Sequence, residues 1–221
     1  MGEDITIVPT ILTSDPQTFS TQLDAYQKFS RRIQLDLMDG TFTSEKSIPE
    51  SAISQLPQSV SIDFHIMSAK PSDHLAQILR LKPTLCILHA EANESLLPFF
   101  AEFKKAGIKS GVALLPGTFP ELVKPYIEAA DHLLIFAGAL GKQGGQADLL
   151  QLEKIKLIRR ISQTIEIGWD GGANLSNIRA LAHSGLNIVN VGSAISSVEN
   201  PQIAYSQLHY EIGRASCRER V

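Results

Sequence analysis

The feature that most constrains the fold of this chain is a regular alternation of short apolar runs with longer amphipathic runs. The short runs are rich in β-branched residues, as expected for strands that are buried on both faces of a sheet. There are eight of them, at residues 5–12, 33–37, 60–65, 85–89, 110–115, 133–137, 165–169 and 188–191. An α/β fold with a parallel sheet is therefore predicted.

The segments between these strands have the pattern and the end signals of helices. Asp15 is a predicted N-cap, with Pro16 at the first helical position. Gly107 and Gly185 stand where the end of a helix favours a left-handed residue. The predicted helices cover residues 16–29, 49–56, 71–81, 94–106, 120–129, 149–161, 175–184 and 201–210. Eight βα units in one domain of this length predict a closed (β/α)8 barrel, the TIM barrel.

The alternative architecture is an open, doubly wound sheet, which normally has a Gly-rich turn after its first strand. The first predicted strand instead leads into LTSD at residues 12–15. Glycines cluster late in the chain, at 144–145, 171–172 and 192, where barrels often bind phosphate. With no linker, repeat or low-complexity segment in the sequence, we expect one barrel domain over residues 1–212.

The last nine residues, 213–221, show neither apolar periodicity nor turn residues. They resemble a translated sequencing adapter, and we interpret them as a non-native tail outside the domain. A natural basic tail is the alternative.

Composition limits the partners of the protein. Its net charge of -3 gives no electrostatic basis for binding nucleic acid or an anionic membrane. No stretch approaches 18 apolar residues, and the first residues lack the pattern of a signal peptide. We therefore expect a cytoplasmic protein. Barrels of this kind often form homo-oligomers, but the sequence does not define a number of subunits.

Polar residues stand at the C-terminal ends of five predicted strands. These ends meet at one mouth in a barrel, so residues that are distant in sequence become neighbours there. The residues are Asp36 and Asp39, His65, His89 and Glu91, Asp170, and Ser193 after Gly192. Because a carboxylate beside an apolar strand is costly to bury without a purpose, Asp36 and Asp170 are the strongest functional candidates.

Other polar residues have a structural explanation. Asp39 precedes Gly40 and is typical of a turn. His89 and Glu91 fit a site and a structural role equally well. His74 falls in a predicted helix, and we expect it to face solvent.

At these positions the chain resembles the ribulose-phosphate 3-epimerases. The matching segments occur in the order of the family from residue 7 to about residue 195. They are PTILTSD (9–15), LDLMDGTF (35–42), DFHIM (63–67), HAEA (89–92), GVALLPGT (111–118), GGQ (144–146), DGG (170–172) and VGSA (191–194).

The resemblance implies a (β/α)8 barrel that inverts C3 of a ketopentose 5-phosphate, most simply by interconverting D-ribulose 5-phosphate and D-xylulose 5-phosphate. It assigns the two proton-transfer roles to Asp36 and Asp170, on opposite faces of the substrate. It also implies a divalent metal ion (zinc, iron, manganese or magnesium) held by these two aspartates and two histidines. Of the histidines, one matches His65, and the other is replaced by Gln34.

The resemblance also assigns contacts with the ketose phosphate. The substrate-binding residues would be Thr10, Met38, His65, Met67, Gly144, Gly145, Gly171, Gly172, Gly192 and Ser193. Besides Gln34, the sequence differs from the family at Leu115, at Phe136 and in a slightly longer loop over residues 138–145.

Two other hypotheses remain open at this stage. One is a different phosphate-binding barrel, such as a decarboxylase, lyase or isomerase. The related decarboxylases have an Asp-x-Lys-x-x-Asp motif in the third strand, whereas this chain has no lysine there. The other is a divergent, non-catalytic barrel that binds phosphosugars, which Gln34 favours and the paired aspartates oppose.

Overall fold

Eight parallel strands close into a barrel in which each strand pairs with its neighbour in the chain and the last strand pairs with the first. The structure is a computed structural model that describes residues 5–142 and 144–218. The strands are β1 (Thr6–Ile11), β2 (Arg32–Met38), β3 (Ser61–Met67), β4 (Leu85–His89), β5 (Lys109–Leu114), β6 (His132–Phe136), β7 (Glu166–Asp170) and β8 (Ile188–Val191). The predicted (β/α)8 barrel is confirmed, and the strand bounds differ from the predicted ones by no more than two residues.

Helices surround the barrel, and several begin with a 3-10 turn. The α-helices are α1 (Pro16–Tyr26), α2 (Leu75–Leu81), α3 (Leu97–Ala106), α4 (Lys124–Ala129), α5 (Lys154–Ile161), α6 (Ile178–Ala182), α7 (Ser193–Ser196) and α8 (Pro201–Arg218). The 3-10 helices are Glu50–Ala52, Pro71–Asp73, Pro120–Val123 and Leu149–Glu153. Helix α1 begins as predicted, because the Asp15 carboxylate accepts the Thr18 N–H at 2.8 Å.

Most helices differ from the prediction in extent. The α-helices predicted to begin at residues 71, 120 and 149 begin at residues 75, 124 and 154, after a 3-10 turn. A single 3-10 turn, Glu50–Ala52, replaces the helix predicted over residues 49–56. Helix α6 begins three residues late, because Asn174 accepts the Ser176 N–H and forms a local turn that competes with helix formation. Helix α8 continues to Arg218, into the segment interpreted as a non-native tail. Residues 219–221 of that segment lie outside the described residues.

The strands alternate between two faces, and this alternation determines which side chains reach the barrel interior. In β2, Leu35 and Leu37 belong to the apolar core between barrel and helices. Gln34 and Asp36 therefore point inward. In β3 and β7 the same alternation turns His65 and Asp170 into the interior, because Phe64 and Trp169 pack outward.

The N-terminal end of the barrel is closed by ionic groups. Arg32 donates from Nε to Asp63 Oδ2 at 2.6 Å and from both terminal nitrogens to Glu166 at 2.9 and 2.8 Å. His132 Nδ1 lies 2.7 Å from Glu166 Oε2. A side chain on Gly168 would collide with the His132 ring, so this strand position requires glycine.

Among the helices of residues 5–142 and 144–218, none combines the length and the apolar character needed to cross a membrane.

Candidate active site

The site at the C-terminal end of the barrel is built around two aspartates that share one amide donor. Gln34 Nε2 donates to Asp36 Oδ1 at 2.8 Å and to Asp170 Oδ2 at 2.6 Å. Gln34 is fully buried, and its Oε1 has no hydrogen-bond partner among the described residues. The two carboxylates, which are 134 residues apart in sequence, thus meet at one point in the barrel.

His65 completes this group from β3. Its Nδ1 lies 3.1 Å from Asp36 Oδ1 and 3.5 Å from Asp170 Oδ2. One ligand atom from each of Asp36, His65 and Asp170 lies within 4.8 Å of the others. This spacing fits a single divalent ion bound between them, since bonds from nitrogen and oxygen ligands to such ions are about 2.0–2.2 Å long.

The pKa values of these groups follow from burial and from the two negative charges. Burial and the charge of Asp170 raise the pKa of Asp36 to about 6. Burial opposes protonation of His65, but hydrogen bonds to Asp170 and Asp36 outweigh it and raise the pKa of His65 to about 9. In the absence of a metal ion, His65 is therefore a cation that partly neutralises the two carboxylates.

Behind His65, a second histidine fixes the orientation of the ring. His65 Nε2 lies 2.8 Å from His89 Nε2, and both side chains are fully buried. Burial, followed by the charge of His65, lowers the pKa of His89 to about 4, so His89 is the neutral acceptor of this hydrogen bond. Its remaining proton then lies on Nδ1, which faces Glu91 Oε2 at 3.4 Å. His89 and Glu91 support His65 from behind and do not line the pocket.

The pocket itself is a cleft that opens to solvent. The ionisable group described above lines one part of it, and the loops after β6, β7 and β8 line another part. Residues predicted from the sequence that line it are Thr10, Asp36, His65, Met67, Gly144, Gly145, Asp170, Gly171, Gly172, Gly192 and Ser193. Gln34 is hydrogen-bonded to both aspartates, whereas Met38 is buried and is not among the lining residues.

The glycines after β7 bring two loops into close contact. Gly171 and Gly172 have φ angles of 123° and 66°. A Cβ on Gly171 would collide with the backbone of Gly138, and one on Gly172 with the backbone of Ala147. These glycines are therefore required by backbone conformation and by loop packing, apart from any contact with an anion.

The loop after β2 is held by a histidine that the sequence analysis assigned to the surface. His74 is partly buried, with Nδ1 2.7 Å from Glu50 Oε1 and Nε2 3.2 Å from Asp39 Oδ2. Asp39 also accepts hydrogen bonds from Ser68 and Thr41, which agrees with its predicted structural role. The expectation for His74 was wrong, because both of its ring nitrogens have carboxylate partners.

Asn190 is a pocket residue that the sequence analysis missed. It stands in the middle of β8, between Val189 and Val191, and its side chain points into the barrel. A polar residue within this apolar strand was the signal that could have identified it.

Two carboxylates and a histidine lie at the C-terminal mouth of this barrel, the end at which (β/α)8 enzymes have their active sites. Residues 6–196 match the profile of the ribulose-phosphate 3-epimerase family, and the chain belongs to this family. The protein is accordingly an isomerase of the epimerase type.

Curated relatives match over nearly the whole chain. Ribulose-phosphate 3-epimerase of Schizosaccharomyces pombe is 26% identical over 216 residues, which cover 95% of this chain and 94% of the relative. The cytoplasmic isoform of ribulose-phosphate 3-epimerase from Oryza sativa subsp. japonica is 27% identical over 213 residues, with 93% of each chain covered.

Solved structures with the same fold are more distant in sequence. The crystal structure of 3-hexulose-6-phosphate synthase from Salmonella typhimurium has a TM-score of 0.71 at 15% identity, with 96% of this chain and 100% of that chain covered. The crystal structure of KGPDC from Streptococcus mutans has a TM-score of 0.71 at 13% identity, with 96% of this chain and 99% of that chain covered. At these identities the likeness concerns the fold alone.

Proposed function

We propose that this protein interconverts D-ribulose 5-phosphate and D-xylulose 5-phosphate by transferring protons at C3 through Asp36 and Asp170. The observation that carries the proposal is the convergence of these two carboxylates on Gln34 Nε2, at 2.8 and 2.6 Å, in one pocket. Inversion at a carbon requires that a proton leave one face and another proton arrive at the opposite face, which two separate carboxyl groups can do.

In the forward direction one aspartate is ionised and the other is protonated. The ionised carboxylate takes the proton from C3, the electron pair of the broken C–H bond forms the C2=C3 double bond, and the π electron pair of the C2 carbonyl moves onto its oxygen to give an enediolate. The protonated aspartate then gives its proton to C3 from the opposite face, so the two carboxyl groups exchange protonation states. The pKa of Asp36, raised to about 6, allows both states near neutral pH.

The residues present fit a divalent metal ion. Asp36, His65 and Asp170 would hold it, and Gln34 would add its amide oxygen, since the buried Oε1 lacks a partner and a rotation of the amide exchanges its oxygen and nitrogen. When bound, such an ion stabilises negative charge on the oxygens of the substrate. His89 then keeps His65 in the tautomer whose Nδ1 is free to bind, by accepting the hydrogen bond from Nε2.

The phosphate group would bind in the part of the pocket that is lined by the loops after β6, β7 and β8. The backbone N–H groups of Gly145, Gly171, Gly172 and Ser193 donate to no other group within the described residues. They lie at the edge of the same pocket, where unpaired N–H groups attract an anion. This arrangement determines the orientation of the bound substrate, whose phosphate group would lie near the C-terminal ends of β7 and β8.

Replacement of each aspartate by asparagine tests the proposal. We expect Asp36→Asn and Asp170→Asn each to lower kcat for D-ribulose 5-phosphate by about 10²- to 10⁴-fold, because asparagine neither takes up nor releases the proton. The control Asp24→Asn, on the exposed side of α1, should leave kcat unchanged. A loss of less than about tenfold in either active-site variant would show that the residue is not an essential base or acid.

A further inference from the structure

We infer that Asn190 determines substrate specificity by binding the hydroxyl group on C4, next to the reacting carbon on the phosphate side. The inference rests on the proposed function, because it uses the direction of the substrate given there. The inference starts from the side chain of Asn190, which lies in the pocket wall and has an oxygen without a hydrogen-bond partner among the described residues.

Asn190 is one of several buried polar residues with an atom that lacks a hydrogen-bond partner, and it lies in the wall of the pocket. It is 2% exposed, and it lines the cavity together with Asp170 and Ser193. Its Oδ1 is buried without a hydrogen-bond partner among the described residues. Because burying a carboxamide without partners is unfavourable, a partner that enters the pocket explains its presence.

The position of Asn190 selects which part of the substrate it contacts. In the barrel sheet Asn190 pairs in register with Asp170, the aspartate proposed to act at C3. Ser193, whose N–H is proposed to bind the phosphate, follows three residues later as the first residue of α7. The atoms of a ketopentose 5-phosphate between C3 and the phosphate are C4 and C5, and C4 carries the only hydroxyl among them.

The carboxamide of Asn190 and the C4 hydroxyl of the substrate can form hydrogen bonds with each other. A secondary hydroxyl donates one hydrogen bond and accepts others, while a carboxamide offers both an acceptor oxygen and a donor nitrogen. A site that is built to hydrogen-bond a hydroxyl discriminates against a compound that lacks it, since its own polar atoms are then left unpaired. Asn190 would therefore distinguish substrates by the presence and configuration of the C4 hydroxyl.

A comparison of two substrates and two variants tests this inference. D-ribulose 5-phosphate and its 4-deoxy analogue are assayed with the wild-type protein and with Asn190→Leu, which keeps a similar volume and removes the polar atoms. We expect the wild type to prefer the hydroxylated compound by about 10- to 100-fold in kcat/KM. In Asn190→Leu the preference should fall to within about threefold, because kcat/KM decreases for the hydroxylated compound and not for the 4-deoxy analogue.

The control is Asn93→Leu, the same substitution at an exposed residue in the loop after β4 that does not line the pocket. It should retain the wild-type preference. An Asn190→Leu protein that loses activity on both compounds equally, or that keeps the wild-type preference, would overturn the inference.

Calorimetric binding of the same two phosphate esters makes the comparison without turnover, so the result does not depend on catalysis. If the wild type binds both esters but epimerises neither, the proposed function fails, and the binding preferences of the wild type and Asn190→Leu still decide the role of Asn190. Equal preferences in the two proteins would overturn it.

Discussion

Gln34 determines how negative charge is held at the candidate site. Its amide donates to both aspartates, and its unpaired oxygen is the one additional ligand atom that this residue can offer to a metal ion. The sequence indicated that a histidine of the family is replaced here, but it could not indicate that the replacement bridges Asp36 and Asp170. That contact depends on side-chain geometry within the closed barrel.

Replacing Gln34 by histidine should strengthen zinc binding. Imidazole nitrogen is a better ligand for zinc than an amide oxygen, so Gln34→His should bind zinc at least about tenfold more tightly, or about 1.4 kcal/mol. Titration of both proteins against a chromogenic chelator measures the difference. The control Gln55→His adds a histidine on the surface and should not change the affinity. Equal affinities of Gln34→His and wild type, or no binding by either, would exclude this position from a metal site.

The sequence predicted that Asp36, His65 and Asp170 lie close together, because each is a polar residue at or near the C-terminal end of an apolar strand and these ends converge in a barrel. Asn190 and His74 could not be identified in the same way. Asn190 carries a neutral amide and not an ionisable group, and His74 gains its partners from the loop that follows β2.

Among the elements, the strands were predicted more accurately than the helices. A strand buried on both faces appears as a continuous apolar run, whereas the first turn of several helices is replaced by a 3-10 turn or by a side-chain-stabilised loop. The sequence signals used for the helix starts, such as Pro71, Pro120 and Leu149, mark these 3-10 turns rather than the α-helices. The clearest difference from the predicted helices is in the loop after β2, where a single 3-10 turn forms and where Asp39, Glu50 and His74 contact one another.

The contacts that hold this loop, between His74 and the carboxylates of Glu50 and Asp39, should depend on pH. Burial disfavours protonation of His74, but the hydrogen bond and charge of Glu50, followed by those of Asp39, raise its pKa above the ordinary value of 6.5. A group whose pKa is higher in the folded state stabilises the protein fully below its unfolded pKa, and this contribution is lost as pH rises through the folded pKa. Hydrogen bonds to Ser68 and Thr41 lower the pKa of Asp39 to about 2, so Asp39 is ionised throughout this range.

We therefore expect His74→Gln to be less stable than wild type by about 2 kcal/mol near pH 5.5, with a smaller difference at higher pH. Urea unfolding of both proteins at several pH values measures this difference. A difference that stays constant or grows as pH rises would contradict the proposed role of His74.

Polar groups lie at both ends of the barrel interior. Those at the N-terminal end connect strands, whereas those at the C-terminal end surround the pocket. At the N-terminal end, Arg32, Asp63, Glu166 and His132 form direct ion pairs and hydrogen bonds that connect β2, β3, β6 and β7. At the C-terminal end, buried groups at Gln34, His89 and Asn190 keep atoms without partners among the described residues. Asp63 Oδ1 and His132 Nε2 also lack partners among the described residues, so the two ends differ in the ion pairs of the N-terminal end and in the pocket of the C-terminal end.

Transfer of solvent hydrogen to C3 is the most direct test of the central claim, that Asp36 and Asp170 epimerise a ketopentose 5-phosphate at this carbon. D-ribulose 5-phosphate is incubated with the protein in heavy water, and both pentuloses are followed by NMR. Because one carboxyl group removes the C3 proton and the other delivers a solvent-derived one, the account predicts that the D-xylulose 5-phosphate formed carries deuterium at C3. Product that keeps the original C3 proton, or a wild-type protein that neither exchanges nor converts the substrate, would contradict it.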